Sequence, residues 1–335
     1  MRPVLALLAA LFAVFALLLS QERTRATSCH TRASHLGAIA VGLGQGMHMA
    51  DFLKEYPGCR TAILAYLKLD SSPAEVEGIL TCLRTQAALQ AGLGRPFWPQ
   101  IALETRHLNL AGFVRELQRP GSRVERNVRL LAREIARYRE QPKWFFLRPF
   151  SEMNDATADA PWELGHPTRA NTPRDLALAW IRLRQAFDRE GATNALFVFS
   201  PLAAWGVHRQ SQVLEALNRI PVGLIDAFGL NLYSRPRRAY GGRSAQPISF
   251  AELAQPWITL LAHSKQKGLP LAVTEMGVSS QASDGQRAQW LRAAFAFARS
   301  HGFVLVTYFN YTHRYWQIDP HTQAGAVLRT ELNTD

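Results

Sequence analysis

The sequence predicts a (β/α)8 barrel, because short apolar segments alternate with longer amphipathic segments along most of the chain. The short segments are almost continuously apolar, which is typical of parallel strands covered on both faces of a sheet. About eight longer segments lie between them and carry apolar residues at helical spacing. A barrel of this kind takes about 250 residues, and the chain has 335.

The strand candidates are apolar runs bounded by turn residues. They are Leu36–Val41, Thr61–Leu67, Phe97–Leu103, Trp144–Phe150, Ala195–Phe199, Ile225–Tyr233, Leu271–Thr274 and Phe303–Phe309. The clearest helix candidates show helical spacing, and some begin with a serine followed three residues later by Glu or Gln, which is a capping box. They are Pro73–Leu93, Val124–Tyr138, Pro173–Arg189, Phe250–Lys267 and Gln286–Ser300.

A doubly wound sheet is the alternative architecture. Such a sheet is expected to carry a phosphate-binding glycine turn after its first strand. Glycines at 42, 44 and 46 follow the first strand candidate, but Met47 occupies the place of the third fingerprint glycine. The sequence therefore favours the barrel.

The chain begins with an unbroken apolar run from Val4 to Leu19. Its length lies between that of a secretory signal, roughly 7–15 residues, and that of a membrane span, about 20 residues. We therefore predict that residues 1–26 are a signal peptide or a membrane anchor and that residues 27–335 form the barrel. Both alternatives place the barrel outside the cytoplasm, either secreted or periplasmic, or held at the membrane by residues 4–19.

The overall charge is +12 and the isoelectric point about 10.2. Lysines and arginines are spread through the predicted helices rather than gathered in one stripe, so we expect no nucleic-acid partner. The ten histidines and three cysteines show no metal-ligand spacing, so we expect neither a metal nor a cofactor. We expect a monomer.

Two predicted strands end near a glutamate. Glu152 follows the fourth strand candidate and Glu275 follows the seventh. Active sites of (β/α)8 barrels lie at the C-terminal ends of the strands, so these carboxylates are expected to face each other across the barrel mouth. Two such carboxylates suit glycoside hydrolysis, and a separation of about 5–5.5 Å implies a covalent intermediate and retention of configuration.

The sequence around these glutamates resembles a known family. Residues 148–154, Arg-Pro-Phe-Ser-Glu-Met-Asn, resemble the Arg-Pro-x-His-Glu-Met-Asn signature of glycoside hydrolase family 26, which contains β-mannanases built on (β/α)8 barrels. Residues 274–277, Thr-Glu-Met-Gly, resemble that family's Thr-Glu-Phe-Gly nucleophile strand. Weaker matches follow in the same order at 199–201, 226–233 and 308–310.

This resemblance implies roles for particular residues. Glu152 would be the general acid/base and Glu275 the nucleophile. Arg148 would orient Glu275 and maintain its charge, and Tyr233 would donate a hydrogen bond to it. Asn154 would shape the site around the acid.

One position departs from the family pattern. The family usually has histidine immediately before the acid/base, and this chain has Ser151. Serine is too short to reach the sugar in the same way, so a water or His166 would have to fill the gap. We therefore do not assume mannan as the substrate.

A glycan hydrolase also needs aromatic platforms, because the C–H faces of sugars pack on aromatic rings. Loop aromatics on the predicted active-site side are Trp162, Trp205, Tyr311, Tyr315 and Trp316. The substrate-binding set that we predict combines some of these aromatics with polar residues at strand ends. It is Arg148, Ser151, Asn154, Trp162, Trp205, Tyr233, Tyr308, Asn310 and Trp316.

The predicted function is a retaining, endo-acting β-glycoside hydrolase that acts on a mannan-like polysaccharide, another β-glycan or an exopolysaccharide. Four arginines lie in the 235–243 loop, which is expected to rim the cleft because it follows the sixth strand candidate, and this raises the hypothesis of an acidic polysaccharide as substrate. One alternative is a catalytically inactive barrel that binds exopolysaccharide. A further alternative is a basic surface protein that binds polyanions without any cleft chemistry.

Overall fold

The computed structural model describes residues 40–43, 59, 61–92, 98–138, 144–155, 160–165, 171–203, 209–240, 246–310 and 316–333. The predicted signal or anchor segment lies outside these residues, and its role and the resulting localisation stay predictions. Within the described ranges, no helix is long and apolar enough to cross a bilayer.

Eight parallel strands close into a barrel. Each strand pairs with the next along the chain, and the eighth pairs with the first. The strands are β1 Ala40–Leu43, β2 Thr61–Lys68, β3 Trp98–Glu104, β4 Phe145–Pro149, β5 Ala195–Phe199, β6 Ala227–Ser234, β7 Leu271–Val278 and β8 Phe303–Tyr308. The predicted (β/α)8 barrel is confirmed.

Helices lie between the strands and cover the outside of the barrel. They are α1 Pro73–Gly92, α2 Leu110–Gln118, α3 Arg123–Arg137, α4 Pro173–Arg189, α5 Gln210–Arg219, α6 Phe250–Ala254, α7 Ile258–Gln266, α8 Asp284–Ser300 and α9 Gln323–Asn333. Reciprocal capping boxes begin α4 at Thr172, α6 at Ser249 and α8 at Ser283. Each satisfies backbone donors that the first turn leaves unpaired.

The helix predicted over Phe250–Lys267 is interrupted. A 3-10 turn at Gln255–Trp257 separates α6 from α7. Pro256 has no amide hydrogen and its ring crowds the preceding turn, so the α-helical hydrogen-bond pattern cannot continue through it.

The barrel interior is apolar at one end and polar at the other. Side chains from several strands form an apolar cluster that is separate from the large core between strands and helices; its members are Trp98, Phe146, Leu196, Val198, Ala227, Ala272 and Leu305. Side chains two residues further along a strand point to the same side. Arg148 therefore lies on the same interior side of β4 as Phe146. On β6, Asn231 and Tyr233 lie on the same interior side as Ala227, at multiples of two residues. The barrel interior is therefore apolar near the N-terminal ends of the strands and polar at their C-terminal ends, where we place the barrel mouth.

The strand that carries Glu275 departs from our prediction in two ways. β7 continues to Val278, so Glu275 lies within the strand and not after it. We expected Leu271, Val273 and Glu275 to share the interior side, but Leu271 and Val273 pack in the core between strands and helices. The pairing register with β6 shifts after Val273. This irregularity breaks the strict alternation of side chains and brings Glu275 to the interior.

Candidate active site

Glu275 lies at the barrel mouth within a shell of donors from three other strands. Its side chain is almost fully buried. Oε1 accepts a hydrogen bond from Tyr66 Oη at 2.7 Å and an ion-paired hydrogen bond from Arg148 Nη1. Oε2 accepts a hydrogen bond from Tyr233 Oη. One cation and two hydroxyls therefore fix the orientation of this carboxylate and stabilise its negative charge.

The two tyrosines remain donors at neutral pH. Burial, and then the negative charge of Glu275, raise the pKa of Tyr66 and of Tyr233 well above the ordinary value for tyrosine. Arg148 is wholly buried, and its charge is compensated by Glu275. The structure thus places Arg148 and Tyr233 against Glu275, as the sequence resemblance implied.

Glu152 lies in a tight turn directly after β4. Both Phe150 and Glu152 have positive φ angles, 51° and 59°, which side chains other than glycine rarely adopt. The Glu152 amide donates to the Ser200 carbonyl oxygen at 2.8 Å, which ties the turn to the end of β5. A strained conformation of this kind persists only where the surroundings hold it in place, and such positions cluster at functional sites.

The carboxyl group of Glu152 is in an environment that favours its neutral form. Burial, followed by repulsion from the Glu275 carboxylate, raises the pKa of Glu152 to about 8. A hydrogen bond from Asn231 Nδ2 to Oε1 at 2.8 Å acts in the opposite direction. At neutral pH the side chain therefore carries a proton that it can donate.

Asn231 connects the two glutamates, and our sequence reasoning did not identify it. Its backbone is the β6 partner of Glu275 on β7, while its Nδ2 donates to Glu152. The Oδ1 atom accepts from Thr274 Oγ1 at 2.7 Å and from Ser200 Oγ at 3.0 Å. These hydroxyl donors fix the amide orientation and direct its NH2 group at the Glu152 carboxyl group. The available signal was its position two residues before Tyr233, on the same side of the strand.

The two carboxyl groups are therefore unlike. Glu152 is partly exposed, has a raised pKa and is held by an amide; Glu275 is buried, ion-paired with an arginine and held by two tyrosines. A proton donor opposite a fixed carboxylate is the arrangement that acid-assisted displacement at a sugar carbon requires.

Several predicted substrate-binding residues hold the framework of the site. Asn154 bonds the Leu202 backbone through both amide atoms, at 2.8 and 2.9 Å, and Asn310 accepts from the Ile318 amide. Tyr308 belongs to the core outside the barrel and donates to the Trp316 carbonyl oxygen. Their predicted contact with substrate stays a prediction.

Ser151 and Trp162 are also enclosed. Trp162 Nε1 donates to the Ser151 carbonyl oxygen at 2.9 Å, and the Ser151 hydroxyl accepts a long bond of 3.4 Å from Asn231. Ser151 is 3% exposed. It thus supports the turn of Glu152, and its role toward substrate stays a prediction.

Among the predicted aromatic platforms, Trp316 lies beside the nucleophile candidate. It is partly exposed, and its ring centroid is 5.0 Å from that of Tyr233. The ring lies directly over Gly277, where an added Cβ would approach it to 2.9 Å. Glycine at this position lets the indole approach the β7 backbone closely. Trp205, Tyr311, Tyr315 and His166 lie outside the described residues.

A second ion pair at the mouth was also missed in the sequence. Lys68 and Glu104 end β2 and β3 as register partners and form a salt bridge. Lys68 Nζ lies 5.1 Å from the Trp162 ring centroid, and Glu104 is 6% exposed. Burial raises the pKa of Glu104, with Lys68 opposing that effect. In the sequence, each stands at the polar end of an apolar run and carries no distinguishing motif.

The fold and the site together define a class of protein: a closed (β/α)8 barrel with two unequal glutamates, one just after strand four and one within the C-terminal half of strand seven. Comparison with solved structures agrees at the level of the fold. The chain is similar to a family 26 β-mannanase from Bacteroides ovatus, with 15% identity, 93% of each chain covered and a TM-score of 0.61.

Two further similar structures are also mannanases. An endo-β-1,4-mannanase from Cellulomonas fimi has 15% identity and a TM-score of 0.60, over 91% of this chain and 74% of that chain. A mannanase from Bacillus subtilis has 14% identity and a TM-score of 0.55, over 89% and 85%. No protein-family model and no curated protein matches the sequence. The resemblance to family 26 drawn from the motifs is thus confirmed as a shared fold.

Proposed function

We propose that this protein is a retaining glycoside hydrolase that cleaves within a β-linked polysaccharide. The observation that carries the proposal is the pair of unlike glutamates next to Asn231: Glu152 has a raised pKa and accepts a hydrogen bond from Asn231, whereas Glu275 is ion-paired with Arg148. The similar structures are mannanases, which supports a β-glycan as the substrate class.

In the first step, the Glu275 carboxylate attacks the anomeric carbon while the Glu152 carboxyl group protonates the departing glycosidic oxygen. The C–O bond to the leaving sugar breaks and an ester bond to Glu275 forms. Arg148, Tyr66 and Tyr233 hold the attacking carboxylate in place, so little reorganisation is needed as the reaction proceeds.

In the second step, Glu152 acts as a base. Once Glu275 is esterified, its negative charge is gone, and the repulsion that raised the pKa of Glu152 goes with it. The Glu152 carboxylate then takes a proton from a water molecule, which attacks the anomeric carbon and releases Glu275. Two displacements restore the original configuration.

This assignment predicts an alkaline limit to activity. Because Glu152 must be protonated in the first step and its pKa is raised to about 8, kcat/KM should fall as pH rises through about 8. The pH profile of kcat/KM on the best polysaccharide measures this. In Glu152→Ala, the residual activity on an activated glycosyl fluoride should lack that alkaline limb. A limb that persists there would assign the titration to another group.

The proposed function is tested with a substrate panel. Purified protein is offered mannan, mixed-linkage β-glucan, xylan and a native exopolysaccharide, and new reducing ends are measured. Early products are examined by NMR to identify the anomer that is released first. We expect release of reducing ends from at least one polymer with the β anomer first. Inverted products, or no turnover of any polymer, would contradict the proposal.

The second candidate function is an inactive barrel that binds polysaccharide. The observation that favours it is Ser151, which stands where the family has histidine and is buried beneath Trp162 and Asn231. In the panel, tight binding without turnover would support this alternative.

A further inference from the structure

The cations at the barrel mouth are not equivalent. Three of them have carboxylate partners: Arg148 pairs with Glu275, Lys68 with Glu104, and Arg237 with Glu252. Arg235 is exposed, and within the described part of the chain no ion pair involves it. Its positive charge is therefore available to an anion in the cleft.

Arg235 is also held in a defined place. It follows β6 directly, and its carbonyl oxygen accepts from the Ile248 amide at 3.3 Å. The next residue, Pro236, forms an antiparallel bridge with Pro247. Because these contacts hold the backbone in place, less conformational freedom is lost when the Arg235 guanidinium binds a ligand.

A continuous line of contacts connects this arginine to the chemistry. Tyr233 donates to Glu275 and lies 5.0 Å from the Trp316 ring, and the Arg235 guanidinium carbon lies 6.0 Å from the same ring. The indole is partly exposed. A sugar that contacts the exposed part of Trp316 would therefore lie near both the tyrosine that holds the nucleophile and a guanidinium without an ion-pair partner.

We propose that Arg235 and Trp316 form a subsite for a sugar that bears a carboxylate, so that the substrate is an anionic β-glycan. This inference rests on the proposed function and narrows its substrate class. Guanidinium groups bind carboxylates through two parallel N–H donors, and the apolar face of the sugar suits an indole. Neutral β-glycans would use the same cleft without the arginine contact.

The test compares chemically matched polymers. Soluble β-1,4-mannan and mixed-linkage β-glucan are each used untreated and after oxidation of C6 to the carboxylate. Binding is measured by affinity electrophoresis in a Glu152→Gln background, which prevents cleavage. We expect oxidised chains of at least one backbone to bind about fivefold to tenfold more tightly than untreated chains, the effect of one charge-assisted contact. The preference should shrink in moderate salt.

Arg235→Gln in the same background should bring the ratio of oxidised to untreated binding close to one, because the loss falls on the oxidised chains. The matched control is Arg237→Gln, which removes a neighbouring arginine whose charge Glu252 compensates, and it should keep the preference. Thermal unfolding of both variants checks that they remain folded.

Equal losses in both variants would show a general effect of basic surface charge and overturn the proposal. So would the absence of any preference for oxidised chains in the protein with Arg235 intact, including the case in which no chain binds. The proposed function is tested by turnover of untreated polymers with Glu152 and Glu275 intact, and the subsite is tested by the binding ratio, so failure of one can be distinguished from failure of the other.

Discussion

Glu275→Ala is expected to abolish turnover of every substrate, whatever its leaving group. The proposed reaction passes through an ester on this side chain, so its removal eliminates both displacements. The loss should be about 10⁴-fold or more, the scale seen when a nucleophile is deleted. Steady-state hydrolysis of the best polysaccharide and of an activated glycosyl fluoride measures it.

The matched control is Glu152→Ala, which removes the other carboxyl group from the same cleft. A fluoride leaving group needs little protonation, so this variant should keep much of its kcat/KM on the fluoride, which reports the first step, while losing kcat/KM on the polysaccharide. If Glu275→Ala were active on the fluoride and Glu152→Ala inactive, the two roles would have to be exchanged.

Arg148→Met is expected to lower the free energy of unfolding by about 3–5 kcal/mol, the usual cost of leaving one member of a buried ion pair without its partner. Arg148 is wholly buried, and the variant would leave the Glu275 carboxylate with only two tyrosine hydroxyls. Urea unfolding followed by circular dichroism gives the value.

Two further variants separate a pairing effect from lost packing. The double variant Arg148→Met with Glu275→Gln should recover part of the loss, because no uncompensated charge remains. Arg237→Met removes an arginine from a partly exposed pair with Glu252 and should change the stability by less than about 1 kcal/mol. Losses that simply add in the double variant would argue against coupling between Arg148 and Glu275.

The fold could be predicted from the sequence because its signal is repeated along the chain. Each buried parallel strand needs an apolar run, and the eight runs with helical segments between them leave few architectures. Local errors occur where one residue changes the pattern. Pro256 divides a predicted helix, and the register shift after Val273 turns Glu275 inward against the expected alternation.

The site was only partly predictable, for a different physical reason. The motifs identify Glu152, Glu275, Arg148 and Tyr233, which the structure brings together. A polar residue at a strand end can equally bind substrate or satisfy a buried backbone group, and sequence does not distinguish the two.

The contacts of the site that could not be predicted from the sequence are those between residues on different strands of the barrel. Asn154 and Asn310 bind backbone groups, whereas Tyr66 and Asn231, which appear as single polar residues within apolar strands, contact the two glutamates. Such contacts join residues far apart in the chain. They become visible only when the strands are placed side by side.

The left-handed backbone of Glu152 has a consequence for the history of the chain. Glycine would occupy that turn with less strain, so a substitution that favoured thermal endurance at this point would also delete the acid. Stability and the proposed catalysis therefore favour different residues at this one position. Without selection for activity, replacement of Glu152 by glycine would relieve the backbone strain and remove the proposed acid.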